Sequence, residues 1–160
     1  MNNIFPTETE RLIIRKTSVD DVDLILKQDK QEPTQRFLGG IKNKTREERI
    51  EWIKKHDYSL TVCLKENNIP IGLCGIQVNE NNYGIVSYVF DVDYTGKGYC
   101  TECVNKLIEI SFNILNLDYL YADTYKDNLG SIRVLNKVGF KESGMHDDFI
   151  EFKLLKNDFF

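Results

Sequence analysis

The hydrophobic and polar positions change period several times along the chain. Residues 11–16 (RLIIRK) are a short apolar run of the kind a strand makes. From Ser18 the period lengthens. Ser18 supplies an N-cap, DDVDLILKQ puts acidic residues in a first turn, and Val22, Ile25 and Leu26 are spaced for one helix face. Leu38-Gly39-Gly40 reads as a loop, and Thr45 with Glu48 three residues on has the capping-box form, opening a helix with Ile50, Trp52 and Ile53 that ends near Tyr58. From about Leu60 the period becomes that of strands: SLTVCLKE, the Asn67-Asn68 turn, IPIGLCGIQV, the NENN turn and YGIVSYVF make a three-stranded meander. A glycine turn follows and leads into a long helix to about Leu115. The strand LYADTY comes next, then a helix from about Asn128 to Val138 stopped by Gly139 at C′, and a closing strand pair ending in FIEFKLL. The predicted order is β-α-α-β-β-β-α-β-α-β-β, an α+β (mixed α/β) chain.

Composition narrows the classes of function. A chain of 160 residues, 41% apolar and 29% charged, with no internal repeat or low-complexity stretch, is expected to form one domain over residues 1–160. A net charge of −4 lacks the basic field that nucleic-acid or anionic-membrane binding requires and suits a cationic partner. The opening MNNIFPTETERL has no basic region followed by an apolar one, and no apolar run has the length of a membrane span, so a cytoplasmic protein is expected. Cys63, Cys74, Cys100 and Cys103 are too few for a disulfide-stapled scaffold and are expected to be reduced.

Two chemistries compete in the stretch YTGKGYCTECV, residues 94–104. Its left half is a strand-to-helix turn with glycines on either side of Lys97. A helix N-terminus offers unsatisfied N–H groups and the positive end of its dipole, and glycines let a phosphate approach the backbone closely. The turn fits neither G-x-x-x-x-G-K-[ST] nor G-x-G-x-x-G, since Thr101 stands at the sixth position from Gly96. Alone, it reads equally as a phosphate cradle or a plain connection. The right half, Cys100-Thr101-Glu102-Cys103, is a C-x-x-C pair, the pattern of thiol-redox or metal sites. Against that, the helix carries its apolar stripe at Cys100, Cys103, Val104, Leu107, Ile108, Phe112 and Leu115, which puts both thiols on the core side. A zinc site needs more ligands, and His56, His146, Cys63 and Cys74 have no ligand spacing among them, so no metal is expected.

Thr95-Gly96-Lys97-Gly98-Tyr99-Cys100 resembles the acetyl-CoA pyrophosphate loop of the GNAT superfamily of N-acetyltransferases, Q/R-x-x-G-x-G/A. The longer run SYVFDVDYTGKGYCTECV looks like its RimJ/RimL-type form. Downstream, NLGSIRVLNKVGF (residues 128–140) is similar to that group's N-x-x-S-x-R-V-x-x-K-x-G-F segment. Glu8–Arg15 resembles its opening strand and Lys153–Lys156 its closing one. Two positions depart from the pattern: Thr95 stands where Gln or Arg is usual, and Cys100 where Gly or Ala is usual.

The resemblance implies a central, mostly antiparallel twisted sheet of about seven strands flanked by four helices, with splayed central strands holding the cofactor. It implies direct acetyl transfer from acetyl-CoA, as cosubstrate, to a primary amine in a ternary complex. The acceptor would be a protein N-terminal α-amine or a small-molecule amine. Cofactor contacts fall to Val89, Phe90, Thr95, Gly96, Lys97, Gly98, Tyr99, Cys100, Thr101, Asn128 and Ser131. Of these, Asn128 would reach the pantetheine arm and Ser131 would act as proton donor near the sulfur. Both are also good capping residues of their helix, a purely structural reading that stands beside the functional one. No general base is singled out among Tyr88, Asp91, Glu80 and His146. Trp52 and the early helices would shape the acceptor pocket, and exposed strand edges allow a homodimer. A non-catalytic acetyl-CoA-binding module and a C-x-x-C redox protein are the competing functions.

Overall fold

The strand expected of RLIIRK forms, and its side chains alternate. In strand β2 (Leu12–Lys16), Leu12 and Ile14 are wholly buried while Ile13 and Arg15 are partly exposed. The computed structural model describes residues 3–160. The other strands are β1 (Thr7–Glu8), β3 (Ser59–Leu64), β4 (Pro70–Val78), β5 (Tyr83–Phe90), β6 (Tyr119–Tyr125), β7 (Lys141–His146) and β8 (Phe149–Leu155). The helices are α1 (Val22–Asp29), α2 (Glu32–Gln35), α3 (Arg46–Lys55), α4 (Tyr99–Asn113), α5 (Leu129–Lys137) and α6 (Lys156–Phe159), with 3-10 turns at Val19–Asp21 and Val92–Tyr94. The strands form one sheet in the order β1-β2-β3-β4-β5-β6-β8-β7. β5 and β6 are parallel, whereas β1/β2, β2/β3, β3/β4, β6/β8 and β7/β8 are antiparallel. The parallel step follows from the connection: α4, 15 residues long, carries the chain back so that β6 starts in the same direction as β5.

The mixed α+β architecture is the one the pattern implies. The expected order lacked three short elements, β1, α2 and α6. A two-residue strand has no alternation to detect, and α2 (Glu-Pro-Thr-Gln) carries no apolar residue. β1 is the eighth strand, where about seven were expected.

The chain divides into two compact units. The first holds residues up to Gly75 together with Tyr88–Cys103. Here α1 and α3 pack Val22, Leu24, Ile25 and Ile53 against Leu73 of β4, with Leu26, Ile50, Trp52 and Val89 at the margin. Each such aliphatic side chain contributes roughly 1.5–3 kcal/mol when fully buried. The capping box of α3 is formed: the Glu48 N–H donates to the Thr45 hydroxyl and the Thr45 N–H to the Glu48 carboxylate, at 3.1 and 2.8 Å. Gly72 has a steric reason to be glycine, since a Cβ there would lie 2.8 Å from the Phe90 ring and 3.0 Å from the Val89 carbonyl oxygen. One buried charge is built into this core. Asp21 accepts from both Nη atoms of Arg15 at 2.8 Å, the Ser18 N–H at 2.9 Å and the Thr61 hydroxyl at 2.9 Å. Burial alone would raise its pKa, but these bonds outweigh burial and hold it below the ordinary carboxylate range.

The second unit holds Ile76–Ser87 and Val104–Phe160. The buried stripe of α4 continues here through Val104, Leu107, Ile108 and Phe112. Leu115, expected to close that stripe, lies beyond the helix and is only half-buried. The Ile114 and Leu115 N–H groups both close onto the Ile110 carbonyl, and Asn116 then takes a left-handed φ of 55°, which ends the helix. β6 and β8 pair from Tyr119↔Leu155 to Tyr125↔Phe149, burying Leu120, Ala122, Phe152 and Leu154. Gly139, with φ +102°, follows α5 as expected. Among the described residues no helix is long and apolar enough to cross a membrane.

Asp21 and two further carboxylates of the first unit, Asp91 and Glu102, are all held below the ordinary range. A lowered folded-state pKa stabilises the protein above the ordinary carboxylate pKa of about 4, and that stabilisation is lost as pH falls through the folded value. Urea unfolding followed from neutral to acidic pH should show flat stability near neutrality and a decline at and below about pH 4. Asp21→Ala, which strands Arg15 and Thr61, should cost about 3 kcal/mol at neutral pH and make the acid decline shallower.

Candidate functional site

The stretch from the end of β5 to the first turn of α4 turns a strand into a helix through two positive-φ glycines, Gly96 at +74° and Gly98 at +82°. An L side chain at either position would be strained by roughly 1–2 kcal/mol. A Cβ on Gly96 would meet nothing within 4 Å, so the surface over the turn is open to an approaching ligand. The Glu102 N–H donates to the Gly98 carbonyl at 3.0 Å, the first closure of α4. The N–H groups of Tyr99, Cys100 and Thr101 precede it and have no intrahelical acceptor. The donor set therefore suits an anion, with main-chain N–H groups and the positive end of a 15-residue helix facing one exposed turn.

Side chains in the loop point elsewhere. The Thr95 hydroxyl donates back to the Val92 carbonyl at 2.9 Å, and Lys97 lays its Nζ 5.5 Å over the Tyr94 ring. The Cys100 thiol is pushed up strongly by burial and by neighbouring Cys103, though the residue itself is partly exposed rather than fully on the core side. Cys103 is wholly buried, and contact with the Cys74 thiol together with burial raises it well above a normal thiol. Neither is a reactive thiolate. Among the described residues no group of three or more His, Cys, Asp or Glu could hold a metal.

Both ends of the turn are held by residues without a periodic signature in the sequence. At the β5 end, Asp91 is 2% exposed and accepts from Lys27 Nζ at 2.6 Å, Gln31 Nε2 at 2.9 Å and the Asp93 N–H at 3.0 Å. Burial opposes its ionisation, but the Lys27, Gln31 and Asp93 bonds prevail and lower its pKa. Gln31 also accepts from the Val92 N–H, Gln28 donates to the Val89 carbonyl at 3.3 Å, and Thr34 to the Phe90 carbonyl at 3.4 Å. At the α4 end, Glu102 accepts from the Thr9 hydroxyl at 2.6 Å, the Arg11 N–H at 2.8 Å and Arg11 Nε at 2.7 Å. Arg11 Nη1 donates to the Lys97 carbonyl at 3.0 Å, and its guanidinium lies 4.4 Å over the Tyr99 ring. Arg11 and Tyr99 also line an open depression with Glu10, Leu64, Lys65 and Glu66. Thr9 and Arg11 are separated from Glu102 by about ninety residues, and lone charges at that distance carry no spacing to detect.

Of the expected site residues, Val89, Phe90 and Thr95–Thr101 belong to the first unit, where one continuous segment brings them together. Asn128 and Ser131 belong to the second. There the Asn128 Oδ1 accepts the Ser131 N–H at 3.2 Å, the capping role foreseen for Asn128. The candidate bases differ in environment. Asp91 is locked in its ion pair, Glu80 is exposed beside the β4–β5 turn, and Tyr88 is half-buried on β5. His146 Nε2 lies 3.3 Å from Asp123 and 3.7 Å from Glu151, its ring stacked on Phe149.

An open, mostly antiparallel sheet with one parallel step, from which a double-glycine turn leads into a long helix, is the architecture of the GNAT class of folds. The chain belongs to the acetyltransferase (GNAT) domain family, whose model matches residues 11–141, and it is an acetyl-CoA-dependent N-acetyltransferase. It is 28% identical over 151 residues to "Uncharacterized N-acetyltransferase p20" of Bacillus licheniformis, covering 88% of this chain and 85% of that one. Its fold is similar to a GNAT-family acetyltransferase from Bacillus anthracis (TM-score 0.85, 21% identity, 94% of this chain and 98% of the other). It is also similar to spermidine N-acetyltransferase from Vibrio cholerae in complex with CoA and spermine (TM-score 0.82, 18% identity, 94% and 99%).

The raised thiol pKa values of the C-x-x-C pair give a direct measurement. In the native protein at neutral pH, Cys100 and Cys103 should resist a disulfide reagent such as dithionitrobenzoate, and all four cysteines should react once urea unfolds the chain. Rapid native labelling at Cys100 would contradict its raised thiol pKa.

Proposed function

We propose that the main-chain N–H groups of residues 96–101 hold the pyrophosphate of acetyl-CoA, and that the chain, acting as one domain over residues 1–160, acetylates a primary amine by direct attack in a ternary complex. The observation that carries the loop assignment is the pair of positive-φ glycines running straight into α4. Acetyl-CoA supplies the acyl group as an activated thioester. The chain's own residues bind and orient. The backbone of Val89 and Phe90 lines the pantetheine arm near the thioester carbonyl, where negative charge develops and a fixed N–H donor is most useful. Asn128 contacts the arm while capping α5, and the Ser131 hydroxyl gives a proton to the departing thiolate. An acyl-enzyme on cysteine is not needed, and raised thiol pKa values at Cys100 and Cys103 disfavour one.

The acceptor in this reading is a cationic primary amine, either a protein N-terminal α-amine as in the RimJ/RimL type or a small polyamine-like molecule, in the cytoplasm. A net charge of −4 supports a cationic acceptor, as does similarity to a spermidine N-acetyltransferase. A homodimer is compatible with the sheet's terminal strands β1 and β7.

Calorimetry with acetyl-CoA tests the loop assignment. The wild-type protein should bind, and Gly98→Glu should abolish binding by setting a carboxylate against the phosphates; absence of heat at millimolar ligand would overturn the reading. Release of free CoA across a panel of N-terminal peptides, polyamines and neutral amines then identifies the acceptor. Turnover confined to neutral amines would remove the cationic preference.

A further inference from the structure

We infer that Arg11 is a positioning residue for the cosubstrate: it fixes the direction of the Gly98 N–H by holding the carbonyl of the same peptide group. This rests on the assignment of the loop to the pyrophosphate. A trans peptide is planar, with its C=O and N–H pointing in opposite directions. Arg11 Nη1 donates to the Lys97 carbonyl at 3.0 Å, which turns the Gly98 N–H away from the arginine. The peptide concerned joins Lys97 to Gly98, whose φ is +82°, and follows Gly96 with φ +74°, so glycine freedom acts on both sides of Lys97. An N–H that must point at an anion is thus placed where the local sequence determines it weakly, and its direction comes from the residue just ahead of β2.

The arginine is itself held in place. Its Nε donates to Glu102 at 2.7 Å, its own N–H to the same carboxylate at 2.8 Å, and the Thr9 hydroxyl occupies Glu102 further at 2.6 Å. The guanidinium lies flat over Tyr99, 4.4 Å from the ring centroid. A Cβ on Gly98 would approach Nη2 at 3.2 Å, so the glycine leaves just the space the guanidinium uses. The planar fork reaches a carbonyl and a carboxylate at once, which a lysine ammonium at the same place would not do in fixed geometry. Glu102 meanwhile sits in the first turn of α4, where its charge would repel a phosphate if Arg11 did not neutralise it.

Steady-state kinetics with acetyl-CoA as the varied substrate, together with acetyl-CoA calorimetry, separate positioning from simple charge and from folding. Arg11→Lys should raise KM for acetyl-CoA and weaken its binding about tenfold while leaving kcat and the acceptor KM within about twofold, since preorganisation acts on cosubstrate binding. The double variant Arg11→Met with Glu102→Gln, which removes both charges, should be equally weak, with thermal unfolding showing that it folds. Wild-type-like binding by Arg11→Lys, or recovery of affinity in the double variant, would overturn the positioning role and leave only electrostatics. Failure of the wild-type protein to bind acetyl-CoA would instead overturn the loop assignment on which this inference rests.

Discussion

The turn from β5 into α4 is bracketed by two carboxylates, and its shape depends on the bonds they accept. Asp91 closes the strand end and Glu102 the helix start. Neither charge would be tolerable in its half-dry surroundings without partners. The partners are Lys27 and Gln31 for the first, and Arg11 and Thr9 for the second. Those residues come from α1, the link to α2, and the start of β2. A loop rich in glycine has little internal preference, so the fold supplies from outside the conformational restriction that the loop's own sequence withholds.

The polar network on the β5 side has a second effect. Gln28, Gln35 and Asp91 are all nearly inaccessible, and among the described residues no buried side-chain nitrogen or oxygen lacks a partner. A fully satisfied network of this kind holds one arrangement, because any alternative leaves a donor or acceptor stranded. It also ties the carbonyls of Val89 and Phe90 to α1 and α2, so the early helices act on the end of β5 as well as on the hydrophobic core. Changes in α1 would then be felt in the loop without any direct contact to a ligand.

The strongly periodic parts of the chain were open to reading from the sequence. The helical stripe of α4 from Cys103 to Phe112, the capping box at Thr45 and Glu48, the meander of β3 to β5 and the stop at Gly139 all arise from local rules, and each was expected where it is found. The glycine turn was recognisable as a possible anion site from its place between strand and helix. What held it was not recognisable. Arg11 and Glu102 meet only because β2 lies near the start of α4, and Lys27 meets Asp91 only because α1 packs over the end of β5. Such pairs are consequences of tertiary structure, and no spacing within the sequence encodes them. Leu115 shows the opposite limit: the apolar period ran on past the residue at which Asn116 turned the backbone left-handed.

A binding surface made of peptide groups is indifferent to most side chains. At Thr95 and Lys97 the side chains turn back on the local backbone or onto Tyr94. A different side chain at Thr95 or Lys97 would leave the backbone angles of Gly96 and Gly98 in place, so the proposed cradle does not depend on which residues stand there. The positions that resist drift should be the two glycines and the remote residues that steer them. Against structures that share this fold at about one-fifth identity, such a loop is better compared through its backbone angles and its distant clamps than through its letters.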